Sequence, residues 1–533
     1  MVYAFTLPTT SPLSFQSFIT SPTHPSLPQS ASTARHALRV TLKAHKRLPR
    51  GSRQDAHLPA VLSALNEYIP YLFAIYNSLS DKVVSGEYSS ASPQDVYASG
   101  SGLRTGGLEI VLGAEIESAW RPTLSSTSAF NTVPGRNSSG GKGQKTHNGR
   151  VCGQGIHFEL AFTLTTLGYV LSRLARAGVV AALYASTAPT AEDRTAAVQT
   201  ATRYLLQASA VHNMLASSPS FAANSVSTVP DLNAGTQSAL ASLALAEATL
   251  LAVLKDDAYV AACIQSRNPN DKEWMVHAPE IPKVRALLFA RLCVRAAEYS
   301  EQAAAGLGAV GAASTRAARV SDEVIRYTGV LGRVARARAC RFFGVDAELS
   351  GKVGEGIAWL RAARTPLGLR GGSSQDEGSA SNGSSKGGLS RLKREWSERR
   401  EERRVAKDAG TGGDKNPLDA GDDAGRGEEG QVIAMLEAKW VKMNDTINTQ
   451  LIPPSAPLLS NLPSGRDIHS PPAPYQPPSL DNDQMMRMQA IPDESDDVNF
   501  GNDDDSEDEA GLCADRTPGA FPDRSATASS VYY

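Results

Sequence analysis

Three glycines are spaced as in the dinucleotide-binding motif G-x-G-x-x-G, namely Gly306, Gly308 and Gly311. In that motif the loop follows a β-strand and opens a helix, so that backbone N–H groups and the helix N-terminus hold a pyrophosphate. Here the preceding residues are alanine-rich and follow a helical pattern. The motif therefore predicts a turn between two helices, and we expect no bound nucleotide.

Histidine and cysteine are spread along the chain without the spacing of metal ligands. The nine histidines form no H-x-x-x-H pair, and none of the five cysteines belongs to a C-x-x-C pair. No nucleophile elbow and no catalytic pair of carboxylates is recognisable. We therefore expect no metal, no cofactor and no enzymatic activity. The cysteine pattern is typical of a reduced, intracellular protein with buried thiols.

Charge is distributed unevenly along the chain. From Asp481 onward there are 14 acidic and three basic residues, which leaves a net charge of +9 on residues 1–480. The densest basic run, Arg391–Lys407, holds eight basic and four acidic side chains. It could contact phosphates, but its acids lie at helical spacing from its bases, which favours a solvated helix of internal ion pairs. We expect no nucleic-acid partner.

A helical segment at residues 280–303 has two apolar stripes rather than one. The first stripe, which can face a core, contains Val284, Leu287, Leu288 and Val294. The second contains Arg285, Phe289 and Leu292. A second apolar stripe beside arginines is typical of a docking surface for another helix, whereas the alternative interpretation is one wide core-facing stripe.

The elements that position these residues are predicted to be mostly α-helical. The composition, with 41% hydrophobic and only 6% aromatic residues, is typical of helices packed through small side chains. No run reaches the roughly 18 apolar residues of a membrane span, and the N-terminus lacks a signal-peptide pattern. A helical pattern begins at about residue 33, and further helical patterns cover residues 58–75, 109–120, 156–184, 190–215, 240–265, 281–304, 316–342, 345–361 and 431–448.

The segments outside these helices are of two kinds. Residues 5–28 are apolar and punctuated by proline, which predicts an extended N-terminal segment lying over a helical body. Residues 125–150 and 364–430 are rich in polar residues and glycine, which predicts flexible inserts. The proline-rich residues 452–480 and the acidic residues 493–509 are expected to be disordered.

Several segments together resemble a known family. They are FTLPTTSPLSFQSFITSPTHPSLP, LPAVLSALNEYIPYLFAI, EIESAWRPTLSS, TAEDRTAAVQTATRYLLQAS, LASLALAEATLLAVLKDDAYVAACIQ and LPSGRDIHSPPAPYQPPSLD. They are similar to the Bro-domain family, which includes Alix, and within it to fungal members that act in the response to ambient pH. The resemblance implies a curved, mostly helical domain over residues 1–481 with a tetratricopeptide-like core. The two inserts interrupt this domain, and a disordered acidic tail follows at 482–533.

The resemblance also implies a function without catalysis. Family members bind the C-terminal amphipathic helix of the main ESCRT-III filament subunit in a hydrophobic groove. The pH-response members are cytoplasmic adaptors recruited to plasma or endosomal membranes, where they link a pH-sensor complex to a downstream protease. Carried onto this chain, the groove positions are Leu250, Phe289 and Leu292, with Arg285 beside them. The alternatives are a cargo-sorting adaptor of the same fold and a helical-repeat nucleic-acid binder.

Overall fold

The computed structural model describes most of the chain up to residue 489. Helices dominate these residues, so the predicted mostly helical fold class is confirmed. The greater part of both predicted inserts, and nearly all of the predicted acidic tail, lie outside them. The described residues are 2–86, 108–125, 146–147, 149–184, 190–221, 229–265, 283–310, 319–369 and 423–489.

Short strands form two small antiparallel sheets near the N-terminus. The larger sheet has the order β1-β4-β6-β5, and β2 pairs with β3. The predicted extended N-terminal segment is confirmed, since it supplies β1 and β2. The strands are β1 (Thr9–Thr10), β2 (Ile19–Thr20), β3 (Val111–Leu112), β4 (Glu117–Arg121), β5 (Thr146–His147) and β6 (Arg150–Gln154).

The predicted helix at residues 109–120 is wrong. This stretch forms β3 and β4, and along β4 the residues alternate between exposed and inward positions, with Ser118 and Trp120 buried. Alternation with a period of two is the burial pattern of a strand with one covered face. Pairing of β4 with both β1 and β6 satisfies its backbone groups.

The helices follow one another through most of the remaining chain. Most of their predicted positions are confirmed, and their ends differ by a few residues. They are α1 (Leu27–Arg47), α2 (Ser52–Ala56), α3 (Leu58–Gly86), α4 (Ile156–Leu183), α5 (Ala191–Ser217), α6 (Ala234–Asp256), α7 (Ala258–Gln265), α8 (Lys283–Ala309), α9 (Asp322–Leu349), α10 (Val353–Leu367), α11 (Arg426–Met443), α12 (Ala456–Ser460) and α13 (Asn482–Met488).

Successive long helices pack against each other. Helix α4 contacts α5, α5 contacts α6, α6 contacts α8, α8 contacts α9 and α9 contacts α10. The N-terminus of α5 is fixed by Thr190, whose side chain accepts a hydrogen bond from the N–H of Asp193. In α8, a Cβ on Gly306 would lie 3.1 Å from that of Ala239 in α6. Gly306 and Gly308 therefore lie within α8, and Gly306 permits close helix packing rather than the predicted turn.

Within the described residues, three helical stretches are long and apolar enough to cross a membrane by length and composition: Ser52–Ser80, Ile156–Leu183 and Ala234–Asp256. None of them is an unbroken apolar run, because polar residues are scattered through each. Half or more of each apolar window is buried within the protein, and for the third the share is 83%. In this fold their apolar side chains serve the packing between helices.

A buried ion pair joins the N-terminal segment, the sheet and the helices. Glu159 of α4 accepts hydrogen bonds from Arg35 Nε at 2.8 Å, Tyr68 Oη at 3.0 Å and Trp120 Nε1 at 2.7 Å. Burial raises the pKa of Glu159, but the charge of Arg35 and these hydrogen bonds outweigh that effect and hold the pKa below its usual value. The cluster fixes α1, α3, α4 and β4 relative to one another.

A second buried cluster holds α11 against the helical body. Arg338 Nε and Arg341 Nε donate to the carboxylate of Glu429 at 2.9 and 2.5 Å, and Arg341 also binds Asp257. All four side chains are fully buried. The thiol of Cys293 is also fully buried, and burial raises its pKa to about 12. The expected buried thiols are confirmed here and at Cys263 and Cys340.

The proline-rich segment at 452–480 is ordered, so its predicted disorder is wrong. It runs without regular structure apart from the short helix α12, and it ends at α13, where Met488 is buried. The Ser26 hydroxyl donates to the carbonyl of Met488 at 3.4 Å. The chain thus returns to the start of α1, and on the way it crosses α8.

Candidate functional site

A groove of about 1300 Å³ lies where five helices and an extended segment meet. Side chains from α3, α4, α5, α6 and α8 form most of its lining, apolar ones more often than polar ones, and residues 468–476 form the remaining side. Half-buried apolar groups are the ones that a partner can reach. In the groove these include Leu62 of α3, Tyr204 and Leu206 of α5, and Leu288 of α8.

The predicted groove residues lie deeper than expected. Leu250 is 0% exposed and is not part of the groove, while Phe289 and Leu292 line it but are only 5% and 1% exposed. The ring of Phe289 packs against Phe342 of α9, with ring centroids 5.4 Å apart. These three residues, which the resemblance placed in the groove, therefore offer little surface to a partner. Phe289 and Leu292 form the floor of the groove, and Arg285 is exposed at its rim.

The two stripes of α8 do not divide into a core face and an open face as the sequence predicted. Val284 and Leu287, predicted to face the core, are 85% and 45% exposed. Leu288 is half-buried and lines the groove, and only Val294 of that stripe is buried. Because α8 packs between α6 and α9, the second stripe meets neighbouring helices. Periodicity separated the stripes correctly but did not determine which of them faces the interior.

The extended segment beside the groove, residues 462–476, is called the C-terminal strap below. It is hydrogen-bonded to α8 before it reaches the groove. The N–H of Arg466 donates to the carbonyl of Arg291 at 3.1 Å, and Arg291 Nε donates back to the carbonyl of Ser464 at 3.3 Å. A Cβ on Gly465 would lie 2.6 Å from the Cα of Arg295, so only glycine fits this close approach.

A surface ion pair adds to this attachment. Arg295 Nε and the Tyr299 hydroxyl each donate to Asp467 Oδ1 at 2.7 Å. The hydrogen bond from Arg295 is the main cause that lowers the pKa of Asp467. Asp467 is half exposed, so its net contribution to stability is small. Its evident effect is to fix the position of the strap on α8.

Further along the strap, two side chains enter the groove side. Burial lowers the pKa of His469 and raises the pKa of Tyr475 to about 12. His469 is therefore neutral at pH 7, and Tyr475 is a protonated phenol there. The strap thus gives the groove an uncharged wall. The sequence did not predict this wall, because the proline-rich composition of residues 452–480 was interpreted as disorder.

Charged residues at the groove rim are mostly basic. Arg203 of α5 and Arg285 of α8 are exposed, and Lys255 lies 3.7 Å from its neighbour Asp256. The lining therefore contains three cations and one carboxylate. An apolar floor with a positive rim is complementary to an amphipathic helix that carries acidic residues.

No family model matches the chain. It is 57% identical to the pH-response regulator protein palC of Emericella nidulans over the full length of both chains. The chain belongs to the PalC family of pH-response regulators. Members of this family act in regulation of the response to pH, and that role applies to this chain.

Solved structures with a similar chain course come from Bro1 domains. An ALIX BRO1–CHMP4C complex has a TM-score of 0.43 at 12% identity and covers 89% of this chain and 96% of that chain. A Bro1 domain described for endosomal targeting has a TM-score of 0.42 at 12% identity, covering 92% and 95%.

Proposed function

We propose that this PalC-family protein is a non-enzymatic adaptor that binds the C-terminal amphipathic helix of the main ESCRT-III subunit in the groove. In this role it links a pH-sensor complex at the plasma membrane to downstream proteolytic activation. The observation that carries the proposal is the groove itself, with its apolar floor, half-buried apolar walls and basic rim. The identity of the partner rests on the resemblance to the Bro-domain family.

The buried floor changes which residues carry the binding energy. A partner helix contacts the side chains that reach the surface, so the anchors in this proposal are Leu62, Leu206 and Leu288 rather than Leu250 or Leu292. Phe289 and Leu292 support Leu288 from below. Helix-in-groove recognition places anchors at positions i, i+3, i+4 and i+7 of the incoming helix, which is the spacing that a groove between helices accepts.

The polar groups of the interior support a non-catalytic role. In the buried clusters around Glu159 and Glu429, each carboxylate accepts hydrogen bonds from arginine side chains that are themselves buried. Within the described ranges, no group of three or more His, Cys, Asp or Glu residues is placed to hold a metal ion. The charged residues around Glu159 and Glu429 hold helices together and have a structural role.

The function can be tested in a fungal strain that lacks its PalC-family protein. Leu288→Asp places a charge on the groove wall, and Leu287→Asp places the same charge on an exposed neighbour outside the groove. We expect Leu288→Asp to abolish growth at alkaline pH while Leu287→Asp restores it. Normal alkaline growth with Leu288→Asp, at normal protein level, would contradict the proposal. Loss of endosomal cargo sorting together with alkaline growth would favour a general sorting adaptor.

A further inference from the structure

A cluster of basic side chains lies on α1, a helix that does not line the groove. Arg39, Lys43 and Arg47 follow one another at i, i+4 and i+8, so they lie along one side of the helix, and Lys46 stands beside them. The side of α1 that includes Leu38 and Leu42 is buried, and the basic side adjoins it. On the basic side, Lys46 and Arg47 are exposed, and Arg39 and Lys43 are half-buried.

The adjoining sheet adds two arginines to this face. Trp120 of β4 pairs with Val151 of β6, so Arg121 and Arg150 come together at the same end of the two antiparallel strands. Arg121 also pairs with Thr9 in β1. Like charges at neighbouring cross-strand positions are destabilising, so their presence here costs the fold some stability.

The helix and strand cations are brought together because β1 contacts α1 and also pairs with β4. Burial, and then the charges of Arg39, Arg150 and Arg47, lower the pKa of Lys43. Burial, and then the charges of Arg121 and Arg150, lower the pKa of Lys46. The helix and strand residues thus form one cluster, called the basic face below. It consists of Arg39, Lys43, Lys46, Arg47, Arg121 and Arg150.

The fold itself supplies little compensation for this charge. In the part of the chain that the structure describes, Arg39, Lys43, Lys46, Arg47 and Arg150 form no ion pair. The Nε atom of Arg39 is buried and has no hydrogen-bond partner there. The negative end of the α1 dipole stabilises the charges of Lys46 and Arg47, which lie in the last turn. It does not stabilise the charges of Arg39, Lys43 or the two strand arginines, because the dipole effect is confined to the terminal turn.

An apolar residue in the cluster distinguishes between anionic partners. Val40 lies on the same side of α1, and it is 49% exposed. Aliphatic side chains among cations on one helix face are the pattern of a helix at a membrane interface. Non-specific nucleic-acid binding instead uses aromatic platforms for the bases, and the exposed large hydrophobic residues of the described ranges are all aliphatic.

We propose that the basic face is a docking surface for an anionic membrane, with the cations on lipid headgroups and Val40 at the acyl boundary. The argument rests on charge complementarity between acidic lipids and the five cations named above that form no ion pair within the described residues, and it is independent of the groove. Polybasic surfaces of four to eight cations are of the size that binds phosphatidylserine or phosphoinositide headgroups. The surface would orient the chain on the membrane through α1 and the sheet.

Co-sedimentation of the full chain with vesicles tests this inference. One set contains phosphatidylcholine with phosphatidylserine, and the other contains phosphatidylcholine alone. We expect binding to the first set only, weakened by high salt. The double variant Lys43→Glu/Arg47→Glu should bind at least about 25-fold more weakly, since each cation contributes about fivefold. Val40→Asn, which leaves the charge of the face unchanged, should also weaken binding, and a purely ionic contact would not predict that loss.

The matched control is Lys439→Glu/Lys442→Glu, which makes the same charge change on exposed residues of α11. It should bind acidic vesicles like the wild type, and both double variants should show wild-type circular dichroism. If Lys43→Glu/Arg47→Glu unfolds, Lys43→Gln/Arg47→Gln replaces it with the same expectation of weaker binding. Equal binding to both vesicle sets, equal loss in the control, or binding of single-stranded RNA in place of vesicles would each overturn the proposal.

Discussion

Glu247 of α6 is a buried carboxyl group whose pKa the fold raises into the neutral range. Its Oε1 accepts hydrogen bonds from the N–H of Tyr3 at 2.8 Å and from the Tyr327 hydroxyl at 3.0 Å. Burial raises the pKa of Glu247 to about 7, and these hydrogen bonds and the nearby charge of Arg176 only partly oppose the shift. The carboxyl group joins the first residues of the chain to α6 and α9, so its protonation affects how firmly the N-terminus is held.

This shift predicts a pH dependence of stability at a single residue. Between pH 4.5 and pH 7 the folded chain keeps the proton of Glu247, whereas the unfolded chain releases it. The contribution of Glu247 to the free energy of unfolding is therefore complete below about pH 4.5 and is lost as the pH rises through 7. The loss amounts to roughly 3 kcal/mol. In Glu247→Gln the amide stays neutral, so urea unfolding at pH 5 and pH 8 should show a smaller decline in unfolding free energy than in wild type. The same decline in both proteins would contradict the assignment.

At the scale of residues, the sequence identified the correct helix for the groove but the wrong accessibility. The separate stripe of Phe289 and Leu292 does line the groove, yet both side chains are covered. Burial depends on the helices packed on either side of α8, and a single sequence does not contain that information. Leu206 and Leu288 were overlooked as anchors because partial burial, unlike periodicity, is a property of the assembled fold.

At the scale of elements, the C-terminal strap forms one side of the groove, opposite the helices that line the rest of it. Proline-rich composition suggested disorder, but contacts with α8 hold the strap through Gly465, Arg466 and Asp467. Such contacts depend on partners far away in sequence, so local composition could not predict them. The misassigned strand β4 has a similar origin, since its pairing partners β1 and β6 determine its conformation.

The strap attachment can be weakened without unfolding the protein. Asp467→Ala removes the acceptor for Arg295 and Tyr299, and because the pair is exposed, the unfolding free energy should change by less than about 1 kcal/mol. Amide hydrogen exchange should nevertheless become faster within residues 462–476. Glu355→Ala, which breaks an exposed pair with Lys352 elsewhere, is the control and should leave this exchange unchanged. Unchanged exchange in Asp467→Ala would show that the strap is held by other contacts.

At the scale of the whole molecule, two distant parts of the chain are joined by α11. The Arg426 guanidinium donates to the carbonyl of Leu367 at the end of α10, with Nη2 at 2.6 Å. Helix α11 is also fixed by the buried contacts of Glu429. The described residues on the two sides of this gap, Leu369 and Gly430, therefore lie close together. The sequence predicted that an insert interrupts the domain here, and that prediction rests on composition alone.

This proximity predicts that the intervening segment is dispensable for folding. Replacing residues 371–421 by a short Gly/Ser linker should preserve the circular dichroism spectrum. Since each halving of a loop lowers its closure cost by about 0.6 kcal/mol, the unfolding free energy should rise by roughly 1–2 kcal/mol. Urea denaturation measures the change. A large loss of stability would show that this segment contributes contacts to the folded chain.

The central claim is that the groove binds an amphipathic helix through its accessible wall. Isothermal titration of the full chain with the C-terminal helix of the ESCRT-III subunit measures this directly, beside thermal melting of each variant. Leu288→Asp should weaken binding by roughly 30- to 1000-fold, corresponding to about 2–4 kcal/mol for a lost anchor, while melting stays near wild type. Arg285→Glu at the rim should weaken binding less, and Leu287→Asp should bind normally. Wild-type affinity for both Leu288→Asp and Arg285→Glu would contradict the account.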